Sequence, residues 1–324
     1  MRISAGFLEG TQGVPAAADA LAQKATRENF PVALRFLPGR YRRHLMAVYG
    51  FARTADDIGD QAPAGDRLRL LDELQADLIR LYAQLADGGE GGAGPLASSG
   101  SGGRGGKSAG TAGHGDQAAQ PSIDVIRALG PAVAECGIPM QPFVDLIRAN
   151  QQDQVVSEYR TFDDLLGYCR LSANPVGRIV LYVFGSYSEP RAERSDAICT
   201  ALQLAEHWQD VAEDLRAGRV YLPADDMERY GCSTRDLAAE SAGPPVRALI
   251  AFEVARARAL LDTGAPLIGS LRGAARAAVA GYVAGGRAAL AAIAAADYDV
   301  LRGAPVARRR RAACQLALAY TRGR

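Results

Sequence analysis

Apolar residues recur along most of this chain at three- and four-residue intervals, the spacing that puts side chains on one face of a helix. The clearest case is DRLRLLDELQADLIRLYAQL, where Leu68, Leu71, Leu74, Leu78, Leu81 and Leu85 form one stripe. The same reading predicts helices over 15–24, 31–37, 40–58, 66–85, 123–136 and 143–151. Another starts at Phe162 behind a Thr161 cap, with Asp163 and Asp164 in its first turn. Pro175 falls inside that pattern and predicts a kink or break near Asn174. Further helices are predicted from near Ser195 to Gly218, then over 246–262, 271–295 and 306–320. Alternating strand patterns are nearly absent, so the expected fold class is all-α. Residues 86–122, dominated by Gly, Ala and Ser, have too little apolar surface to offset their ordering entropy. They read as a flexible insertion within a single domain spanning 1–324.

Composition narrows the function. The chain has 324 residues, and its 37 basic and 36 acidic residues give a net charge of +1, so nothing global favours nucleic acid. The cysteines, Cys136, Cys169, Cys199, Cys232 and Cys314, are odd in number. They lack CxxC or Cys/His ligand spacing, which argues against a zinc site or a disulfide framework and suits a reducing cytoplasm. No convincing signal peptide opens the chain, and no run of 18 apolar residues is free of charge. GRGGKS lacks the spacing of a phosphate-binding loop and has no strand before it. The C-terminal ARRRRAACQLALAY is a basic amphipathic segment compatible with contact at an anionic membrane surface, although a solvated charge run explains it better.

The chemistry concentrates in two acidic motifs. In FARTADDIGD, Asp56 and Asp60 are four residues apart; in LQLAEHWQDVAEDLRAGRVYLP, Asp210 and Asp214 repeat that spacing. Each pair projects from one helix face, where like charges repel and call for a compensating cation. If the two helices face each other across a cavity, their four carboxylates suit Mg²⁺, which takes the rest of its shell from water and substrate phosphates. Asp57 points about a quarter turn away from Asp56 and is a secondary ligand. Arg53 shares the face of Asp56 and Asp57, where it can orient them or reach a phosphate. Gln203, two turns before Asp210, can hydrogen-bond a substrate or a metal-bound water.

These motifs, together with ENFPVALRFLP and YCRLSANPVGRIV, resemble the squalene/phytoene synthase family. Within it, the CRLSANPVG and WQDV forms are most similar to the hydroxysqualene synthases of bacterial hopanoid biosynthesis. The resemblance covers about residues 26–310, apart from the insertion. It implies an isoprenoid synthase helical bundle with a central cavity, acting with Mg²⁺ on a prenyl diphosphate. It puts Asn29 and Phe30 at the mouth of the prenyl pocket, Tyr168 and Arg170 near the diphosphate, Ala173 and Gly177 beside the isoprenoid, and Arg219 on the diphosphate. Glu206 stands where most members have Asn, yet still offers Mg²⁺ an oxygen; Gln209 stands where many have Arg. The implied reaction converts presqualene diphosphate and water to hydroxysqualene and diphosphate without a reductant. Two alternatives stay open. One is head-to-head joining of two farnesyl diphosphates to presqualene diphosphate, squalene or a carotenoid precursor; the other is a non-catalytic helical partner of a sister synthase.

Overall fold

The computed structural model describes residues 37–90 and 120–305. The expected helices over 15–24 and 306–320, that over 31–37 except Leu37 itself, and Asn29, Phe30 and Cys314 lie outside the described residues. So does most of the expected insertion. Every regular element described is helical; the sole β interaction among these residues is an isolated bridge between Glu158 and Val220.

The long helices are α1 (Gly39–Gln61), α2 (Arg67–Glu90), α3 (Asp124–Cys136), α4 (Gln141–Gln152), α5 (Phe162–Ser172), α6 (Asn174–Val183) and α7 (Glu189–Gln209). After a break come α8 (Val211–Arg216), α9 (Ala224–Tyr230), α10 (Thr234–Leu237), α11 (Pro244–Gly264), α12 (Leu267–Ser270) and α13 (Gly273–Ala295). The short helices α9, α10 and α12 carry too few turns to leave a periodic signature in the sequence.

Three boundaries correct the expectation. α2 continues through Glu90, so residues 86–90 belong to a helix and not to the insertion. α7 begins at Glu189, six residues before Ser195, because Pro190 fits the first turn, where its missing N–H costs nothing. The helix expected to run unbroken to Gly218 is interrupted at Asp210, whose φ of −104° and ψ of 14° are not helical.

The predicted break at Pro175 occurs one residue earlier than Asn174. Ala173 (φ −110°, ψ −47°) separates α5 from α6, and Pro175 takes the first turn of α6. At the start of α5, Thr161 and Asp164 exchange side-chain-to-backbone hydrogen bonds in a capping box.

The core is one apolar cluster drawn from nearly every element, with Trp208, Phe51 and Phe143 the largest fully buried side chains. α7 lies at its centre, packed along α6, α11 and α13. By length and composition α13 is apolar enough to cross a bilayer, a property the charge-free-run criterion missed because it contains Arg276 and Arg287. In this fold its apolar face, including Ala280, Val283, Leu290 and Ile293, is buried against α7, α11 and α12.

The N-terminus of α3 is fixed by a buried charge. Asp77 of α2, with no exposed side-chain surface, accepts from the backbone N–H groups of Ser122 and Ile123, each at 2.8 Å, and pairs with Arg80. Burial alone would raise its pKa, but these donors outweigh it and hold the carboxyl below its ordinary value.

Candidate active site

A cavity of about 500 Å³ opens between α1, α4, α6, α7, α12 and α13. Its wall is mostly apolar, formed by residues such as Val48, Leu146, Val180, Ile198 and Val279. Asp56 of the first motif and Gln203 and Glu206 of the second line it as well. The two halves of the chain thus meet at one cavity, with carboxylates on facing helices.

Ala173 and Gly177 also line it, and Gly177 is required there. A Cβ on Gly177 would fall well inside van der Waals contact of Ser195 Oγ and Cys199 Sγ. Gly177→Ala is therefore expected to destabilise the protein by about 1–3 kcal/mol through overpacking, read as a lower Tm and a lower urea midpoint. An unchanged midpoint would show that Ser195 and Cys199 rotate away freely.

Around the acidic motifs each charge has a distinct setting. Asn150 Nδ2 donates to Asp56 Oδ1 at 3.1 Å. Burial, opposed by that hydrogen bond and reinforced by Asp60, raises the Asp56 carboxyl to about 6. Asp60 is paired with Arg219, whose Nη2 lies 2.8 Å from Oδ1. The same guanidinium reaches towards Asp153, with Nη1 3.8 Å from Oδ2. Asp153 accepts from the Tyr168 hydroxyl at 2.8 Å and is raised by burial to about 6. Asp214 is raised to about 7, first by burial and then by Asp210; Asp210 itself is raised by burial and by Glu213.

Arg219 owes its position to the backbone. Gly218, at φ +80°, ends α8 in the left-handed conformation. The N–H of Gly218 bonds to Leu215 O and that of Arg219 to Asp214 O, the two hydrogen bonds of a Schellman motif. On the other side, Val220 N–H bonds to Ser157 O. The chain is clamped on both sides of Arg219, and the side chain emerges between the two acidic motifs.

Behind Asp214 lies a closed aromatic group. His207 stacks on Tyr221 with ring centroids 3.7 Å apart, and Tyr159, Tyr168 and Tyr221 pack together. Burial, with Arg219 nearby, depresses His207 to about 3, so its ring is neutral.

Not every expected site residue is brought to the cavity. Asp57 points away from it, with Oδ1 taken by Arg53 Nη2 and Gln61 Nε2, each at 2.7 Å. This corrects its assignment as a secondary ligand: adjacent helical positions diverge by about 100°, and the local cation claims Asp57. Arg53 consequently pairs with Asp57, while its Nε is buried without a partner. Arg170 lies in a separate surface groove with Arg178 and Asp196, on the outer side of α6, which corrects its expected place near the diphosphate. Gln209 is buried and donates to the carbonyl of Pro305.

Asp153, Asn150 and Tyr221 carry no signal in the sequence that marks them for this site, and His207, beside the second acidic motif, reads as packing; Asn150 sits two residues before the end of α4.

The donor set fits a hard divalent cation. Asp153 Oδ1 and Asp214 Oδ2 are buried without a hydrogen-bond partner, and several neighbouring carboxyls are raised by one another. Among the described residues no three His, Cys, Asp or Glu side chains already converge as a closed cage. An open set of carboxylates matches an ion such as Mg²⁺, which keeps several waters and completes its shell with phosphate oxygens.

Comparison with known proteins agrees with this architecture. The sequence profile of the squalene/phytoene synthase family matches residues 23–312. The chain is 34% identical over 248 residues to hydroxysqualene synthase of Rhodopseudomonas palustris, covering 76% of this chain and 72% of that protein. It is 32% identical over 241 residues to the enzyme of that name from Zymomonas mobilis, covering 72% and 67%. Among solved structures, squalene synthase HpnC of Alicyclobacillus acidocaldarius superposes with a TM-score of 0.69 at 38% identity, over 90% of this chain and 98% of that one. With Asp56 of one acidic motif and Gln203 and Glu206 of the other lining one apolar cavity, and a match over nearly its whole length, this chain is a helical enzyme of the squalene/phytoene synthase family.

Proposed function

We propose that this enzyme converts presqualene diphosphate and water to hydroxysqualene and diphosphate, using Mg²⁺. The observation that carries the reading is an apolar cavity lined by Asp56 and Glu206, with Asp60 of the same motif as Asp56 paired to Arg219, an arrangement suited to a long hydrocarbon with a diphosphate head. The choice of product follows the relatives that are hydroxysqualene synthases.

Asp56, Asp60, Asp210 and Asp214 would hold the metal, with Glu206 and Asp153 near them. When bound, Mg²⁺ supplies Lewis-acid neutralisation of charge growing on the leaving diphosphate. Arg219 contributes a fixed fork of N–H donors to the same oxygens, exchanging its contact with Asp60 for one with phosphate. Tyr168 holds Asp153 in place through its hydroxyl. The apolar part of the cavity wall, including Val48, Leu146, Val180, Ile198 and Val279, suits the hydrocarbon chains of the substrate. Water captures the rearranged carbocation, and no reductant takes part. The four described cysteines are unpaired, which suits a reducing compartment such as the cytoplasm.

The test is product analysis by mass spectrometry of the purified protein with presqualene diphosphate and Mg²⁺, and without NADPH. Hydroxysqualene is expected, with formation abolished by a chelator and restored by Mg²⁺. No turnover of that substrate would sink the reading. A second reading, head-to-head condensation of two farnesyl diphosphates, is favoured by the solved relative described as a squalene synthase; presqualene diphosphate formed from farnesyl diphosphate would establish it.

A further inference from the structure

Gln203 and His207 lie one turn apart on α7, with Gln203 Nε2 and His207 Nε2 3.2 Å apart. Gln203 lines the cavity, whereas His207 is 7% exposed behind it, stacked on Tyr221. The other ring nitrogen, Nδ1, faces Asp214 Oδ2 at 3.9 Å. An amide NH₂ group only donates, so at this distance Gln203 Nε2 donates to His207 Nε2, which accepts. The Gln203 carbonyl oxygen, Oε1, is left directed away from His207, and no group among the described residues donates to it.

On this geometry we propose that His207 is a positioning residue that fixes the Gln203 amide so that Oε1 holds the water that captures the carbocation. The inference rests on the hydroxysqualene reading. A water donating one O–H to Oε1 presents an oxygen lone pair to the cavity. The C–O bond to diphosphate breaks with its electron pair on the leaving group. The water oxygen donates a pair to the rearranged cation, forming the new C–O bond. The oxonium proton passes to the released diphosphate, leaving a neutral alcohol. Nothing is oxidised or reduced. Without a held water, the same cation loses a proton from carbon and gives an alkene, so the residue sets the ratio of alcohol to alkene.

The experiment measures that ratio by mass spectrometry in the Mg²⁺-loaded enzyme acting on presqualene diphosphate. His207→Phe keeps the ring stack on Tyr221 and removes the acceptor. The alcohol-to-alkene ratio is expected to fall about ten-fold, the effect of losing one oriented hydrogen bond, with substrate consumption changed much less. His207→Gln, which returns an acceptor at similar reach, is expected to recover most of the ratio. Gln203→Met removes Oε1 without disturbing the stack and is expected to shift the ratio in the same direction, which provides a readout if His207→Phe does not fold. A wild-type ratio in His207→Phe or in Gln203→Met overturns the inference. A uniform loss of all products at constant ratio overturns it too, since that marks a merely structural residue. Wild-type enzyme that makes no alcohol overturns the functional reading and this one together.

Discussion

Replacing Arg219 with methionine is expected to lower kcat/KM for presqualene diphosphate by on the order of 10²–10³-fold, the usual consequence of removing one preorganised donor from developing negative charge. The side chain is held by a Schellman turn on one side and a backbone hydrogen bond to Ser157 on the other, so its charge is delivered without reorganisation. It also contacts Asp60 directly and lies near Asp153, and both lose their counter-charge in the variant. Burial works against the guanidinium charge, but the hydrogen bond to Asp60 and nearby anions prevail and raise its pKa, so it stays charged at any working pH. Arg219→Lys keeps the charge and loses the fork, and is expected to recover only part of the rate. If the loss appears in KM with kcat unchanged, Arg219 binds ground and transition states equally. Activity within three-fold of wild type in the methionine variant would remove Arg219 from the mechanism.

Asp214→Asn is expected to move activity and stability in opposite directions. Turnover should fall by at least about 10²-fold, since a charged oxygen for the metal and the leaving group is lost. The metal-free protein, measured in chelator at pH 8, should melt at a higher temperature than wild type. The sign follows from linkage. The Asp214 carboxyl is raised to about 7 in the folded state by burial and Asp210, above its value of roughly 3.9 in an unfolded chain. Its stabilising contribution is complete below about pH 4 and is lost as pH rises towards about 7. Above that range wild type carries a buried, repelled charge worth at most a few kcal/mol, which Asn does not. The gain in Tm should therefore be present at pH 8 and absent near pH 4. A lower Tm at both pH values would show that Asn disrupts the packing around His207, not that it relieves a charge.

The parts of this site that could be read from the sequence are those governed by helical repeat. The Asp56/Asp60 and Asp210/Asp214 pairs follow from four-residue spacing, and the three-residue spacing of Gln203 and Glu206 likewise puts them on one helix face. Gly177 was placed beside the isoprenoid by resemblance, and the structure adds that a side chain there would meet Ser195 and Cys199. The break at Asp210 was not legible, because WQDVAED contains neither Gly nor Pro to mark it. Asp153 was hidden for a related reason. It sits at the end of α4, where the chain leaves helical geometry and spacing no longer says which way a side chain points. The quarter turn of Asp57 away from Asp56 could be read from spacing, whereas its pairing with Arg53 and Gln61, and the place of Arg170 in a groove outside α6, depend on partners nearby in space.

The pairing of Arg219 with Asp60 joins residues 159 positions apart in the chain. The helices that carry them need only local contacts and form in microseconds, whereas closing so long a loop waits for the intervening α2 to α7 to dock. Refolding is therefore expected to regain helical circular dichroism before enzymatic competence, because the salt bridge between Asp60 and Arg219 can close only after the intervening helices have docked.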